Sequence, residues 1–164
     1  MMTEINSRSF MQRAIALARG KGEGPFGAVI VRDNKIVAEG WDQVTSTCDP
    51  TAHAEMVAIR KACAALERVV LPDCDIFTNC EPCPMCLGAI YWAKLRHIYY
   101  SNTRADAANI GFEDEFIYRE LSLLPDKRTI RAVRIVNEEA DLVFSKWASK
   151  QRGAIMNHSR RAGS

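Results

Sequence analysis

Net charge is scarce in this chain: 22 lysines and arginines stand against 20 aspartates and glutamates, leaving +2. A protein that tracks a phosphate backbone normally carries a basic stripe, so this balance weighs against nucleic acid as a partner. Long apolar runs are missing too, and none reaches the length that crosses a bilayer. The opening MMTEINSRSFMQRA has an early acid and no apolar stretch, which is not the pattern of a secretory signal, so the expected address is cytoplasmic. In that reducing compartment the six cysteines read as thiols or metal ligands rather than disulfides. Repeats and low-complexity linkers are absent as well. What remains is ordinary globular material, 48% hydrophobic and 26% charged, enough for one domain with a sizeable core. That domain is expected over residues 1–150, with 151–164 as a basic, solvated tail.

The periodicities predict an alternating fold. SRSFMQRAIALARG places Phe10, Ala14 and Leu17 on one helical face, with Gly20 as a stop. FGAVIVR and KIVAEGW flank Asp33 and Asn34 as a β-hairpin. A polar loop over 42–50 leads to a helix capped by Thr51 and running to about Arg68. CDIFTN is a strand, Pro84 suits the first turn of a helix reaching about Ala93, and RHIYYS is a further strand. EDEFIYRELSL reads as a helix ended by Pro125, RTIRAVRIV as a last strand, and EEADLVFSKWASK as a last helix. The order implies an α/β fold, a three-layer α/β/α sandwich around a mixed sheet of roughly five strands.

Two short motifs carry chemistry. DPTAHAEM holds His53 and Glu55, and TNCEPCPMC holds Cys80, Cys83 and Cys86. Residues two apart share no face inside a helix, so His53 and Glu55 converge only at a helix end. Cys83 and Cys86, three apart, do share one. Backbone N–H groups at a helix start favour thiolate over thiol. One imidazole and two thiolates suit Zn²⁺, and three protein ligands leave a tetrahedral ion one open position, as in catalytic sites. Glu55 then serves as a proton shuttle for the water there. The competing reading makes Cys80 a fourth ligand and the site a closed structural knot, which leaves Glu55 without work. Cys48, Cys63 and Cys74 read as buried thiols, His97 as structural and His158 as part of the tail.

HAE followed by PCPMC is the H-x-E and P-C-x-x-C pattern of zinc-dependent base deaminases. The stretches GPFGAVIV, DPTAHAE, AIRKAC, CEPCPMCLGAIYWA, DAA and IGFEDEFIY narrow this further. From about Phe10 to Trp147 the chain resembles the bacterial guanine deaminases of the cytidine deaminase-like superfamily. That resemblance implies zinc on His53, Cys83 and Cys86, Glu55 as proton shuttle and Asp114 as a second acid–base group. It implies a base held by Phe26, Asp42, Ala54 and Trp92, and hydrolysis of guanine to xanthine and ammonia. It also implies a homodimer in which the C-terminal segment can cross to the partner. Such enzymes carry Asn where this chain has Asp42, and an ionised Asp accepts hydrogen bonds without donating any. They also close the site with an aromatic residue near the C-terminus, and no aromatic residue follows Trp147 here.

Other readings stay open on the residues alone. Phe26 and Trp92 fit a plain core, and Asp114 fits a solvated helix start favoured by the dipole. Guanosine, isocytosine-like pyrimidines, pterins and aminotriazines present an amidine edge like that of guanine. A tRNA adenosine deaminase would use the same chemistry, but DAANIGFEDEFIYRE is acidic where RNA would approach. A zinc module without catalysis is the third class, and Glu55 argues against it.

Overall fold

The computed structural model describes residues 4–20 and 23–161, with side chains described over 6–20 and 23–150. His158 therefore has a described backbone but a side chain outside the described residues, and 162–164 lie wholly outside them. Two compact units are present, 1–122 and 123–164.

The first unit is an α/β sandwich. Helix α1 (Glu4–Gly20) precedes the hairpin β1 (Gly27–Arg32) and β2 (Lys35–Trp41). Asp33 and Asn34 turn it with φ of 50° and 58°, the left-handed pair that a two-residue hairpin needs and that short polar side chains tolerate. After the short α2 (Val44–Thr47) come α3 (Ala54–Ala65), β3 (Asp75–Cys80), α4 (Pro84–Trp92), β4 (His97–Asn102), α5 (Arg104–Ala108) and α6 (Glu115–Ser122). The strand order is β2-β1-β3-β4. β1 is antiparallel to both β2 and β3, whereas β3 and β4 run parallel.

Alternation along the strands divides the core. Val29, Val31 and Phe77 face α1 and pack with Phe10 and Leu17. Ala28, Ile30, Ala38 and Ile76 face the other way, against Ala54, Ala58 and Ala62 of α3 and Ile90 of α4. Helices thus cover both faces of a mixed sheet, as the sequence predicts. β3 is buried at every position, as the strand between two helical layers must be. At its start Asp75 accepts two hydrogen bonds from Arg96 at 2.9 and 2.7 Å and pairs with His97 at 3.0 Å. Burial alone would raise this carboxyl, and the bonds from Arg96 and His97 outweigh it and hold it below the ordinary value. His97 therefore has the structural place expected of it.

Several expectations are corrected. Residues 42–50 contain α2 rather than pure loop. Thr51 does not cap α3: its hydroxyl donates to Asp49 at 2.6 Å, and His53 occupies the N-cap with extended φ and ψ of −63° and 156°. The helix also stops at Ala65, three residues early, because Glu67 takes a positive φ of 51°. Most consequentially, the sheet has four strands among the described residues, not five. RTIRAVRIV forms no strand, and Ile130, Val133, Ile135 and Val136 lie exposed. A strand exists only through a ladder, and residues 130–136 join no sheet among the described residues; the second unit holds a short turn at Pro125–Lys127 and α7 (Glu138–Arg161). α7 runs through the boundary expected at residue 150. No helix among the described residues is long and apolar enough to cross a membrane.

One glycine sets where α3 can sit. A Cβ on Gly40 would lie 2.0 Å from the Ala54 carbonyl oxygen and 2.7 Å from the Ala58 nitrogen. Only a residue without a side chain lets backbone approach backbone this closely. Gly40→Ala should therefore push the start of α3 off the sheet, lowering stability by about 1–3 kcal/mol and weakening metal binding. Urea unfolding and a metal competition assay check this; unchanged values for both would show that the helix has slack there.

Candidate active site

The site forms where two helices begin. His53 is the N-cap of α3 and Cys83 the N-cap of α4. Neither position carries an ordinary side-chain cap hydrogen bond. Extended backbone at both caps swings the two side chains out of their helices and towards each other. Cys86 follows one turn into α4, on the same face as Cys83. His53 Nδ1 lies 3.6 Å from Cys83 Sγ and 3.7 Å from Cys86 Sγ. All three ligand atoms fall within 4.8 Å of one another.

These distances are a test of fit for the metal. A tetrahedral zinc with Zn–N of about 2.05 Å and Zn–S of about 2.3 Å places nitrogen and sulfur about 3.6 Å apart. The donors stand at that separation, and one imidazole with two sulfurs is a set that zinc favours. The hydrogen bond from Cys86 holds the Cys83 thiol down to about 4, and pushes Cys86 up. His53 is raised by its contact with Cys83. Cys80 stands apart from this group. Its Sγ lies 3.8 Å from the Thr103 carbonyl, and burial beside Glu55 and Asp114 pushes it up to about 11. Among the described residues the only metal-competent cluster is His53, Cys83 and Cys86, so the closed four-ligand knot is not what the fold builds.

Glu55 sits one residue inside α3, only 6% exposed. Thr78 Oγ1 on β3 is 3.5 Å from its Oε1, and Cys86 Sγ is 3.5 Å from its Oε2. Burial pushes this carboxyl up to about 7. It lines a cavity with His53, Cys83, Phe26, Cys80, Glu81, Ala107, Phe112 and Asp114. Burial also raises Asp114. Phe26, His53 and Phe112 continue into a second hollow that contains Asp42 with Glu23, Gly24, Val44 and Thr45. Asp42 is held firmly there: its Oδ1 accepts from the Val44 N–H at 3.0 Å, and Gly24 leaves room for its Oδ2.

Two residues named from the sequence fall outside the cavity. Trp92 ends α4, 86% exposed, and lines neither hollow. It stands six residues beyond Cys86, about 9 Å along the axis, whereas only the start of α4 points at the metal ligands. Ala54 is fully buried under Gly40 and also absent from the lining. Conversely, Phe112, Glu81 and Ala107 line the cavity without having been assigned there. Phe112 meets Phe26 edge-on, with ring centres 4.7 Å apart at 82°. It and Asp114 are held over the site by a small polar clasp. Thr103 and Asp106 close a capping box on α5, the Arg104 N–H donates to Glu81 at 3.0 Å, and Tyr118 OH donates to the Pro82 carbonyl at 3.3 Å. The signal for Phe112 was its place two residues before Asp114.

The ligand set predicts unequal effects at Cys80 and Cys83. Cys83→Ser should lose the metal, whereas Cys80→Ser should keep about one zinc per chain, since Cys80 is not a ligand. Elemental analysis of the purified variants decides; an empty Cys80→Ser protein would restore the four-ligand knot.

The chain is similar to known proteins in keeping with this geometry. Residues 4–102 match the cytidine and deoxycytidylate deaminase zinc-binding region. Over 148 residues the chain is 49% identical to guanine deaminase of Bacillus subtilis (strain 168), covering 87% of this chain and 94% of that protein. The crystal structure of guanine deaminase from Bacillus subtilis superposes with a TM-score of 0.83 at 47% identity, covering 90% of this chain and 95% of the other. The tRNA-specific adenosine deaminase of Agrobacterium fabrum is 43% identical over 94 residues, 56% of this chain and 62% of that protein. With a zinc-ligand triad at two helix starts, a buried glutamate beside it and a matching family region over more than half its length, the chain belongs to the cytidine deaminase-like family of zinc-dependent base deaminases.

Proposed function

We propose that the chain deaminates guanine, hydrolysing it to xanthine and ammonia. The observation that carries this is the likeness to Bacillus subtilis guanine deaminase along nearly the whole of both chains at 49% identity, where a tRNA-specific adenosine deaminase matched over a similar length is 33% identical. The cavity agrees with a small planar base. Its lining includes the aromatic pair Phe26 and Phe112 with Glu81 and Asp114, and Asp42 lines the adjoining hollow. Three carboxylates there repel a phosphate backbone, so RNA is disfavoured.

His53, Cys83 and Cys86 would hold the zinc, which supplies a Lewis acid that makes water nucleophilic near neutral pH. Glu55 is placed to accept a proton from that nucleophile and to return it to the ring nitrogen beside the carbon under attack. A carboxyl near 7 can both take and give a proton at neutral pH. Thr78 holds the carboxylate from the sheet side and fixes its direction. Asp114, raised by burial, is placed to manage the proton of the leaving amine. One water is consumed and one ammonia released. Phe26 and Phe112 hold the ring edgewise and exclude bulk water. Asp42 offers acceptors only, so it favours ring edges that present N–H.

The C-terminal unit belongs to the same proposal. Its irregular run at 130–136 exposes Ile130, Val133, Ile135 and Val136, and α7 exposes Leu142, Val143, Phe144 and Trp147. We infer that a second copy of the chain covers these surfaces in a homodimer, with the C-terminal segment exchanged between subunits.

Ammonia release from guanine, guanosine, isocytosine and ammeline tests the activity. Guanine should be preferred, and Glu55→Gln should keep its zinc while turnover falls by at least ~10². Asp42→Asn should reorder kcat/KM across the panel by about one to two powers of ten rather than scale every substrate alike. A panel led by another base, or normal turnover in Glu55→Gln, would overturn the corresponding assignment. For the assembly, light scattering at micromolar concentration should return twice the chain mass, and a monomer mass would refute the exchange.

A further inference from the structure

We infer that Asn79 is a positioning residue that sets the aromatic wall of the cavity by gripping the backbone on both sides of Phe26. This rests on the reading of the cavity as the base site. Asn79 lies on β3, directly before Cys80, and is 9% exposed. Its Nδ2 donates to the Pro25 carbonyl at 2.8 Å, and its Oδ1 accepts from the Gly27 N–H at 2.8 Å. Pro25 and Gly27 are the two neighbours of Phe26 in the chain, so one amide fixes the peptide groups flanking that ring.

Strand alternation explains why this grip aims the ring. Gly27 faces α1, since a Cβ there would meet the Ala14 carbonyl and the Leu17 side chain. Phe26, one residue earlier, is turned to the opposite face and packs with the α3 side of the core. Along β3 the same alternation sends Thr78 to Glu55 and Asn79 to the loop before β1. One strand end therefore orients the carboxylate with one residue and the aromatic wall with the next. From Phe26 the constraint passes on to Phe112 through their edge contact, and Phe112 lies two residues from Asp114. The side chain must donate and accept at once, from a short stem. Aspartate keeps the acceptor and loses the donor; alanine removes both, taking its acceptor from the buried Gly27 N–H and leaving the part-buried Pro25 carbonyl to water.

The test uses the full-length, zinc-loaded chain and three variants, Asn79→Ala, Asn79→Asp and Phe26→Ala, with the Asn79→Ala/Phe26→Ala double variant. Asn79→Ala should keep about one zinc per chain and raise KM for guanine by about tenfold, with a smaller fall in kcat. Asn79→Asp, which retains the Gly27 bond, should fall between it and the wild type, and it carries the comparison if the alanine variant does not fold. In the Phe26→Ala background, loss of Asn79 should add less than about threefold, because the residue acts through the ring that is already gone. Full multiplication of the two effects, or a fall in kcat with KM unchanged, would overturn the assignment. Hydrogen exchange separates this inference from the proposed activity: the Gly27 amide should exchange at least about tenfold faster in Asn79→Ala, whether or not guanine is the substrate. Unchanged exchange there overturns the grip itself, whereas a wild-type chain inactive on guanine with faster exchange in the variant overturns only the substrate.

Discussion

Two helices have to start at one point in space, and the rest of the molecule serves that constraint. Zinc chemistry needs three soft or borderline donors about 3.6 Å apart and a carboxylate beside them. α3 and α4 meet this need by giving up their ordinary caps. His53 and Cys83 occupy cap positions, but their side chains turn to each other rather than to the free N–H groups of the first turn. Those N–H groups are left to favour negative charge on the thiolates and on Glu55.

The sheet holds the two starts in register. β3 runs fully buried from the Asp75 ion pair at one end to the loop of Cys83 at the other. Its last residues do separate work on its two faces, Thr78 towards the Glu55 carboxylate and Asn79 towards the loop of Phe26. β2 approaches α3 closely enough that Gly40 touches its backbone. The ligands sit on helix ends, but their separation is decided by strand-to-helix packing in which a displacement of an ångström would matter. The same logic explains why Glu55 combines burial with usefulness: burial against the sheet raises its pKa, and the cavity gives it access to a proton.

The C-terminal unit follows a different economy. Its β-branched run has the composition of a strand and joins no sheet among the described residues, and its helix exposes an aromatic and aliphatic face. Such surfaces cost free energy in water unless another chain covers them. The candidate zinc ligands His53, Cys83 and Cys86 all lie in the first unit, separate from the exposed apolar surfaces of the second.

Much of this was legible in the residues. Helical period gave α1, α3 and α4, alternation gave the β1–β2 hairpin, and Asp33-Asn34 gave its turn. The H-A-E and C-P-M-C spacings named the metal ligands, because only side chains near helix ends converge at those separations. Other features depended on distances between segments far apart in the chain. Thr51 looked like the better cap, and only packing shows that His53 takes the cap to leave its ring free. RTIRAVRIV has a strand's composition, but a strand also requires a neighbour, which composition does not specify. Trp92 shares a motif with the ligands yet ends on the far end of their helix, whereas Phe112, 26 residues beyond Cys86, closes on Phe26. Sequence by itself determined the donors and the helix starts that present them, since both follow from local spacing. Which side chains wall the cavity, and how the ligands reach bonding separation, only the tertiary structure decided, because those contacts join segments that no local periodicity relates.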